Sequence, residues 1–313
     1  MYCPRLDHFV RFNPNGTVSR CGHMVNPPQF ESLEQMDSSE WLHNIKNKPD
    51  TWPKECIRCQ QTEQVNSTSI RLNAIEFDKQ QLQPDYLSVG GVLDNICNSA
   101  CLTCNEQLST KIGSLQSKIY PIIDNSDAFW RLPLERVTHL DINGGEPSAS
   151  KNYKNILLNL PKNIQSIRVN TNCGIVISEL EDIVASGVKV TVTVSLDGIE
   201  EVHDRVRWPI KWEKFYKNLM IYKNMHLTEL NTWTTVSALN IGDLSNIFNF
   251  VKNHSLLHSW AFLITPDPLN VKYSNSMTSP FEHVVPGQVA VDRNNQAEVD
   301  AYMFEQNKLR KMI

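Results

Sequence analysis

From residue 86 onward, short β-forming runs alternate with helical patterns, and this alternation constrains the fold more than any other feature of the chain. The pattern predicts strands over 86–93, 137–142, 166–171, 188–196, 232–238 and 259–264. The stretches between them carry apolar residues on one helical face. In 175–186 these are Ile177, Leu180, Ile183 and Val184, with Gly187 suited to the C-terminal cap. In 241–252 they are Ile241, Leu244, Ile247, Phe248 and Val251. Strand, helix and strand in regular order predict parallel strands with right-handed crossovers. The expected class is α/β, a partial (β/α)6 TIM-like barrel over 86–265. A small loop-rich metal-cluster module and connector over 1–85 precede it, and a C-terminal extension over 266–313 follows.

One predicted strand separates its faces cleanly. Val188, Val190, Val192 and Val194 alternate with Lys189, Thr191, Thr193 and Ser195. The valines are expected against the outer helices, and Thr191, Thr193, Ser195 and Asp197 inside the barrel. Arg168, Asn170 and Asn172 form the matching polar set in 166–172, and His139, Asp141 and Asn143 that of 137–143. A polar lumen costs stability, so it points to a ligand cavity; the alternative is a wet structural hydrogen-bond network.

The cysteines carry the chemistry. Seven of the eight fall in two groups, and Cys173 stands alone. An even count invites a disulfide reading, but clustered cysteines in a chain of this kind more often bind metal. No apolar run approaches a membrane span, and Met1-Tyr2-Cys3-Pro4-Arg5 does not open a signal peptide, so a reducing cytoplasm is the expected compartment. A net charge of −4 gives no general argument for nucleic acid or an anionic membrane.

Cys97, Cys101 and Cys104 have the spacing C-x3-C-x2-C and no nearby fourth cysteine. A closed zinc site uses four ligands, usually in two pairs. Three thiolates can instead hold an iron–sulfur cube by three corners and leave one iron open. The loop follows the first barrel strand, at the end where βα barrels keep their active sites. The second strand ends in Asn143-Gly144-Gly145-Glu146-Pro147. Glycines allow close backbone approach, and Glu146 adds a carboxylate able to accept from an ammonium group. By itself Gly-Gly-Glu-Pro also fits an ordinary turn before a helix.

Together these residues resemble the radical S-adenosylmethionine superfamily, which pairs C-x3-C-x2-C after strand one with Gly-Gly-Glu-Pro after strand two. The resemblance covers roughly 86–265. It implies a [4Fe–4S] cluster on Cys97, Cys101 and Cys104, with the methionyl amine and carboxylate of S-adenosylmethionine on the open iron. It implies that Gly144, Gly145 and Glu146 hold the amine, that Asn172 lies on the ribose side, that Ser195 contacts the ribose and that Arg207 contacts the carboxylate. The implied reaction cleaves the sulfonium to a 5′-deoxyadenosyl radical that abstracts hydrogen from a substrate. Ser195-Leu196-Asp197-Gly198 with His203-Asp204-Arg205-Val206-Arg207 resembles the strand-four signature of peptide-modifying members. Thr103 departs from the pattern, because an aromatic residue usually precedes the third cysteine.

Cys3, Cys21, Cys56 and Cys59 form the second group. Four thiolates suit zinc or a [4Fe–4S] cluster. Cys3 and Cys21 stand in a C-x12-G-x4-C pattern similar to the start of the twitch and SPASM auxiliary modules, which normally follow the barrel; here the match precedes it. A second [4Fe–4S] cluster is therefore expected, with zinc as the alternative. Three functions remain open: hydrogen abstraction from a peptide or protein, oxidation or rearrangement of a small molecule, and non-catalytic metal binding or electron transfer. An enzyme of this kind implies an electron donor such as flavodoxin or ferredoxin. Cys173, His139 and Asp141 are candidate catalytic residues by position alone.

Overall fold

The computed structural model describes residues 1–48, 50–65, 68–116, 120–263, 266–271 and 296–310. Among the described residues, eight strands form one open sheet: β1 (Phe9–Phe12), β2 (Val18–Ser19), β3 (Leu87–Val92), β4 (Val137–Asn143), β5 (Ser166–Thr171), β6 (Lys189–Ser195), β7 (Glu229–Val236) and β8 (Leu257–Phe262). Their order is β2-β1-β3-β4-β5-β6-β7-β8. Only the β1–β2 pair is antiparallel. The six expected strands are present in the expected sequence. The sheet is nonetheless eight-stranded, because β1 and β2 extend it from the segment expected to be irregular. Strands of four and two residues are too short to show a period of two.

The alternating strand behaves as its pattern predicts. Val190, Val192 and Val194 are fully buried in the main core with Phe215, Leu219 and Tyr222 from the helix Trp212–Asn224. Burying each such side chain contributes about 1.5–3 kcal/mol. Thr191, Thr193 and Ser195 on the opposite face are only half-buried. The helix expected over 175–186 forms at Glu179–Ala185, followed by Gly187 at φ +89°. The helix expected over 241–252 divides into a 3₁₀ turn, Ile241–Asp243, and the helix Leu244–Asn253.

The polar stretch 61–85, expected as a connector, contains the end of the helix Ile57–Val65 and the whole of Ile70–Asp78. Ser69 caps the second helix by accepting from Leu72 N at 3.0 Å. Arg71 ties the two helices together through Glu63, with Nε 2.9 Å from Oε1. Of the C-terminal extension, 266–271 and the helix Gln296–Leu309 are described; 272–295 and 311–313 lie outside the described residues.

Candidate functional site

The three-cysteine loop follows β3 at the C-terminal end of the parallel strands. Asp94, fully buried, anchors its start. One carboxylate oxygen accepts from Ile96 N at 3.0 Å, and the other accepts from the Ser150 hydroxyl and from Asn152 Nδ2 at 3.2 Å. Asn95 donates to the carbonyls of Gln107 and Pro121, at 3.1 and 3.2 Å. The far side of the loop is held by backbone bonds: Ala100 N to Trp208 O at 2.8 Å and Leu102 N to Val206 O at 2.9 Å. Arg310 also reaches in, donating to the Ala100 carbonyl and, at 2.9 Å, to that of Arg205. Asp94 and Asn95 were not among the expected site residues, although their place three and two residues before Cys97 was a signal for them. Arg310, 210 residues beyond Ala100, gave no such signal.

Burial pushes the Cys97 thiol up to about 12 and the Cys104 thiol up to about 11, and it also raises Cys101. Charge on Cys101 opposes ionisation of both other thiols. A metal has to replace the protons that these thiols hold at neutral pH. Among the described residues, no three Cys, His, Asp or Glu side chains converge as a lone ion requires. A zinc ion would draw its sulfurs to about 3.8 Å from one another, given the usual zinc–sulfur bond. A cube brings irons and sulfides of its own to fill the centre.

The Gly-Gly-Glu-Pro turn packs on the chain that leads into Cys97. Gly145 N donates to Asp94 O at 2.9 Å and Glu146 N to Ile96 O at 2.7 Å. A Cβ at Gly144, where φ is +133°, would stand 2.4 Å from the Asp94 carbonyl oxygen; one at Gly145 would stand 2.1 Å from that of Ile96. The close approach that these glycines permit is therefore to this backbone. Glu146 is 1% exposed. Its Oε1 accepts from Ser148 N, Ser148 Oγ and Thr171 Oγ1, and its Oε2 from Asn172 N at 2.6 Å. Burial raises its pKa against these hydrogen bonds. Oε2 retains capacity for one more donor.

From the end of β5, Asn172 bridges to the cysteine loop, its Nδ2 donating to Asn98 Oδ1 at 2.8 Å and Ser99 Oγ at 2.9 Å. Cys173 turns the other way. It is fully buried in the main core, its thiol 3.7 Å from the Phe215 carbonyl. Its φ is +60°, a left-handed conformation that glycine adopts more readily than cysteine.

Ser195 is half-buried at the end of β6. Beyond it, Arg207 Nη2 lies 2.7 Å from Asp197 Oδ2, a charge contact without hydrogen-bond alignment. Arg207 Nη1 is 3.6 Å from Cys101 Sγ. Burial works against the guanidinium charge, but Asp197 and the Cys101 thiol outweigh it and hold its pKa above the usual value. Arg207 Nε is buried and has no partner among the described residues, so a donor is left for a carboxylate. Arg205 instead bonds the Leu239 carbonyl at the surface.

Cys3, Cys21, Cys56 and Cys59, spread over the first 59 residues, line one cavity with His23, Trp52 and Arg71. Burial raises Cys3 to about 11 and Cys56 to about 12, and the neighbouring thiols add to both shifts. Arg5 Nη1 lies 3.8 Å from Cys21 Sγ, and His23 N donates to the same sulfur at 3.4 Å. The register Phe9↔Ser88 puts this site at the N-terminal end of the parallel strands, opposite the three-cysteine loop.

A cavity of about 350 Å³ lies on the polar face of the sheet, along the N-terminal halves of the strands. His139, Asp141 and Arg168 from the predicted polar sets line it. Burial lowers the His139 pKa to about 4. Higher on this face the polar residues bond one another, Asn170 Nδ2 to Asn143 Oδ1 and Asn143 Nδ2 to Asp141 Oδ1. The face is part cavity and part structural network.

No protein-family model and no curated protein matches the chain. Among solved structures, Streptococcus suis SuiB aligns with a TM-score of 0.45 at 14% identity, over 84% of this chain and 63% of that one. SuiB bound to S-adenosylmethionine gives 0.45 at 13% identity, over 97% and 70%. The radical S-adenosylmethionine methyltransferase TsrM from Kitasatospora setae, with cobalamin and a [4Fe-4S] cluster bound, gives 0.41 at 13% identity, over 60% and 35%. At these scores and identities the likeness carries no argument about what this chain does.

Proposed function

We propose that this chain is a radical S-adenosylmethionine enzyme. Cys97, Cys101 and Cys104 hold a [4Fe–4S] cluster with an open iron; Cys3, Cys21, Cys56 and Cys59 hold a second, closed cluster of the twitch type. The reading is carried by one observation, the convergence on the three-cysteine loop of the segments that follow β4, β5 and β6. Gly145 and Glu146 bond the backbone before Cys97, Asn172 bonds Asn98 and Ser99, and Arg207 approaches Cys101. When bound, the cluster supplies the electron that cleaves S-adenosylmethionine to a 5′-deoxyadenosyl radical.

The protein's part is to hold that cofactor. Arg207 offers its orphaned Nε to the methionyl carboxylate. Glu146 offers the spare lone pair of Oε2 to the ammonium, while its other bonds fix the carboxylate in place. Ser195 accepts or donates at the ribose, and Asn172 sets the loop's position from the ribose side. Residues 1–85 form the auxiliary module, 86–265 the catalytic part and 266–313 an extension. A peptide or protein is the proposed substrate, with flavodoxin or ferredoxin as electron donor. A small molecule is the second reading, and the size of the polar-face cavity favours it.

Metal analysis of anaerobically reconstituted protein tests the cluster assignment. About eight irons per chain are expected for two cubes. About four irons with one zinc would overturn the second cluster, and fewer than about three irons would overturn the first as well. S-adenosylmethionine added to the reduced protein should change its electron paramagnetic resonance signal, and should not do so in Cys101→Ala.

A further inference from the structure

We infer that the polar-face cavity binds a free α-amino acid with an apolar side chain, Asp141 taking its ammonium and Arg168 its carboxylate. The inference stands on the cavity's own geometry and does not require radical chemistry. Asp141 and Arg168 are register partners on β4 and β5. Opposite charges so placed would ordinarily pair, yet these two do not. Among the described residues, Asp141 Oδ1 accepts only from Asn143 Nδ2, at 3.1 Å, and Arg168 has no hydrogen-bond or ion-pair partner. Both side chains line the same cavity wall, Arg168 exposed to it and Asp141 half-buried. Neighbouring strands stand about 4.8 Å apart. An α-amino acid carries its ammonium and carboxylate on one carbon, so a single molecule spans that gap. The two ends of a longer peptide do not.

Apolar side chains also line this cavity. Phe9 comes from β1, and Ile70 and Phe77 from the helix Ile70–Asp78. Gly90 leaves room for this arrangement, since a Cβ there would meet Phe9 Cζ at 3.0 Å and Asp141 Cβ at 3.3 Å. Arg5, also at the cavity, is already engaged: its guanidinium stacks 4.4 Å over the Phe9 ring and touches Cys21. That leaves Arg168 to read the carboxylate, by the bidentate geometry that guanidinium and carboxylate share.

Calorimetric titration of the full-length reconstituted protein tests this. The probes are L-phenylalanine, L-leucine, N-acetyl-L-phenylalanine and L-phenylalanine methyl ester. At least one free amino acid is expected to bind, and the acetylated and esterified forms to bind about tenfold more weakly or less. Asp141→Asn should weaken L-phenylalanine binding about tenfold and leave the acetylated form unaffected; Arg168→Gln should do the same with respect to the ester. Absence of binding by both free amino acids overturns the inference, as does equal binding of the blocked forms. That comparison on unaltered protein decides the matter even where a variant fails to fold. Titration reads binding alone, so its outcome is separate from that of cofactor cleavage.

Discussion

Arg207 is the residue on which the candidate site most depends. It joins a fully buried carboxylate, Asp197, to the sulfur of Cys101, with 11% of its own side chain exposed. Removing one partner of a buried pair leaves the other charge without compensation. Asp197→Ala should therefore lower the unfolding free energy by about 3–5 kcal/mol, measured as a shift in urea midpoint. A loss under about 1 kcal/mol would place the pair among weak surface contacts instead. Cys173 predicts the opposite behaviour. Its thiol is buried in the core, away from the cavity residues, and burial holds its pKa well above the ordinary value. Cys173→Ala should keep cofactor cleavage intact and cost about 1 kcal/mol of stability. Loss of cleavage in a well-folded variant would restore Cys173 as a catalytic candidate.

At the level of elements, the cysteine loop is braced by the C-terminal helix. The helix Gln296–Leu309 packs Val299 against Leu102, Leu263 and Leu269, and Arg310 just beyond it bonds the Ala100 carbonyl. Arg310→Gln removes buried donors from two carbonyls, at about 1–3 kcal/mol for each group left unsatisfied. Faster amide exchange in peptides covering 97–104 is the expected result, and unchanged exchange would show that the helix does not brace the loop. Strands β3 to β8 could be read from the sequence because alternating residues such as Val190, Val192 and Val194 leave a clear period. The strands β1 and β2 could not, since their pairing is decided by long-range register with β3 and not by local pattern. The polar run 61–85 concealed helices whose stability comes from the Ser69 cap and the Arg71–Glu63 pair.

Across the whole molecule, two cysteine sites stand at opposite ends of the parallel strands. The six residues of β3 between them span about 17 Å. Motif residues adjacent in sequence, such as Gly144–Glu146, were legible; the approach of Arg310 to the loop, and the cavity that joins Arg5 to Arg168, arise only from folding. Two buried histidines make the fold acid-sensitive. Burial lowers His203, packed 4.4 Å from the Phe215 ring, to about 3, and His139 to about 4. Unfolded, both take up protons below about 6.5. Stability is therefore complete above pH 6.5 and falls as the pH drops toward 3, where the unfolded chain binds more protons. His203→Phe should make that decline shallower in urea melts run across the range, and an unchanged slope would contradict the assignment.

On the proposed reading, the Cys97–Cys104 loop carries an open cluster that cleaves S-adenosylmethionine. Its most direct test is 5′-deoxyadenosine, measured by chromatography after anaerobic incubation of the reconstituted protein with S-adenosylmethionine and dithionite. Time-dependent formation by the unaltered protein is expected, and none by Cys101→Ala. No 5′-deoxyadenosine under several reductants, from protein with a full complement of iron, would contradict it.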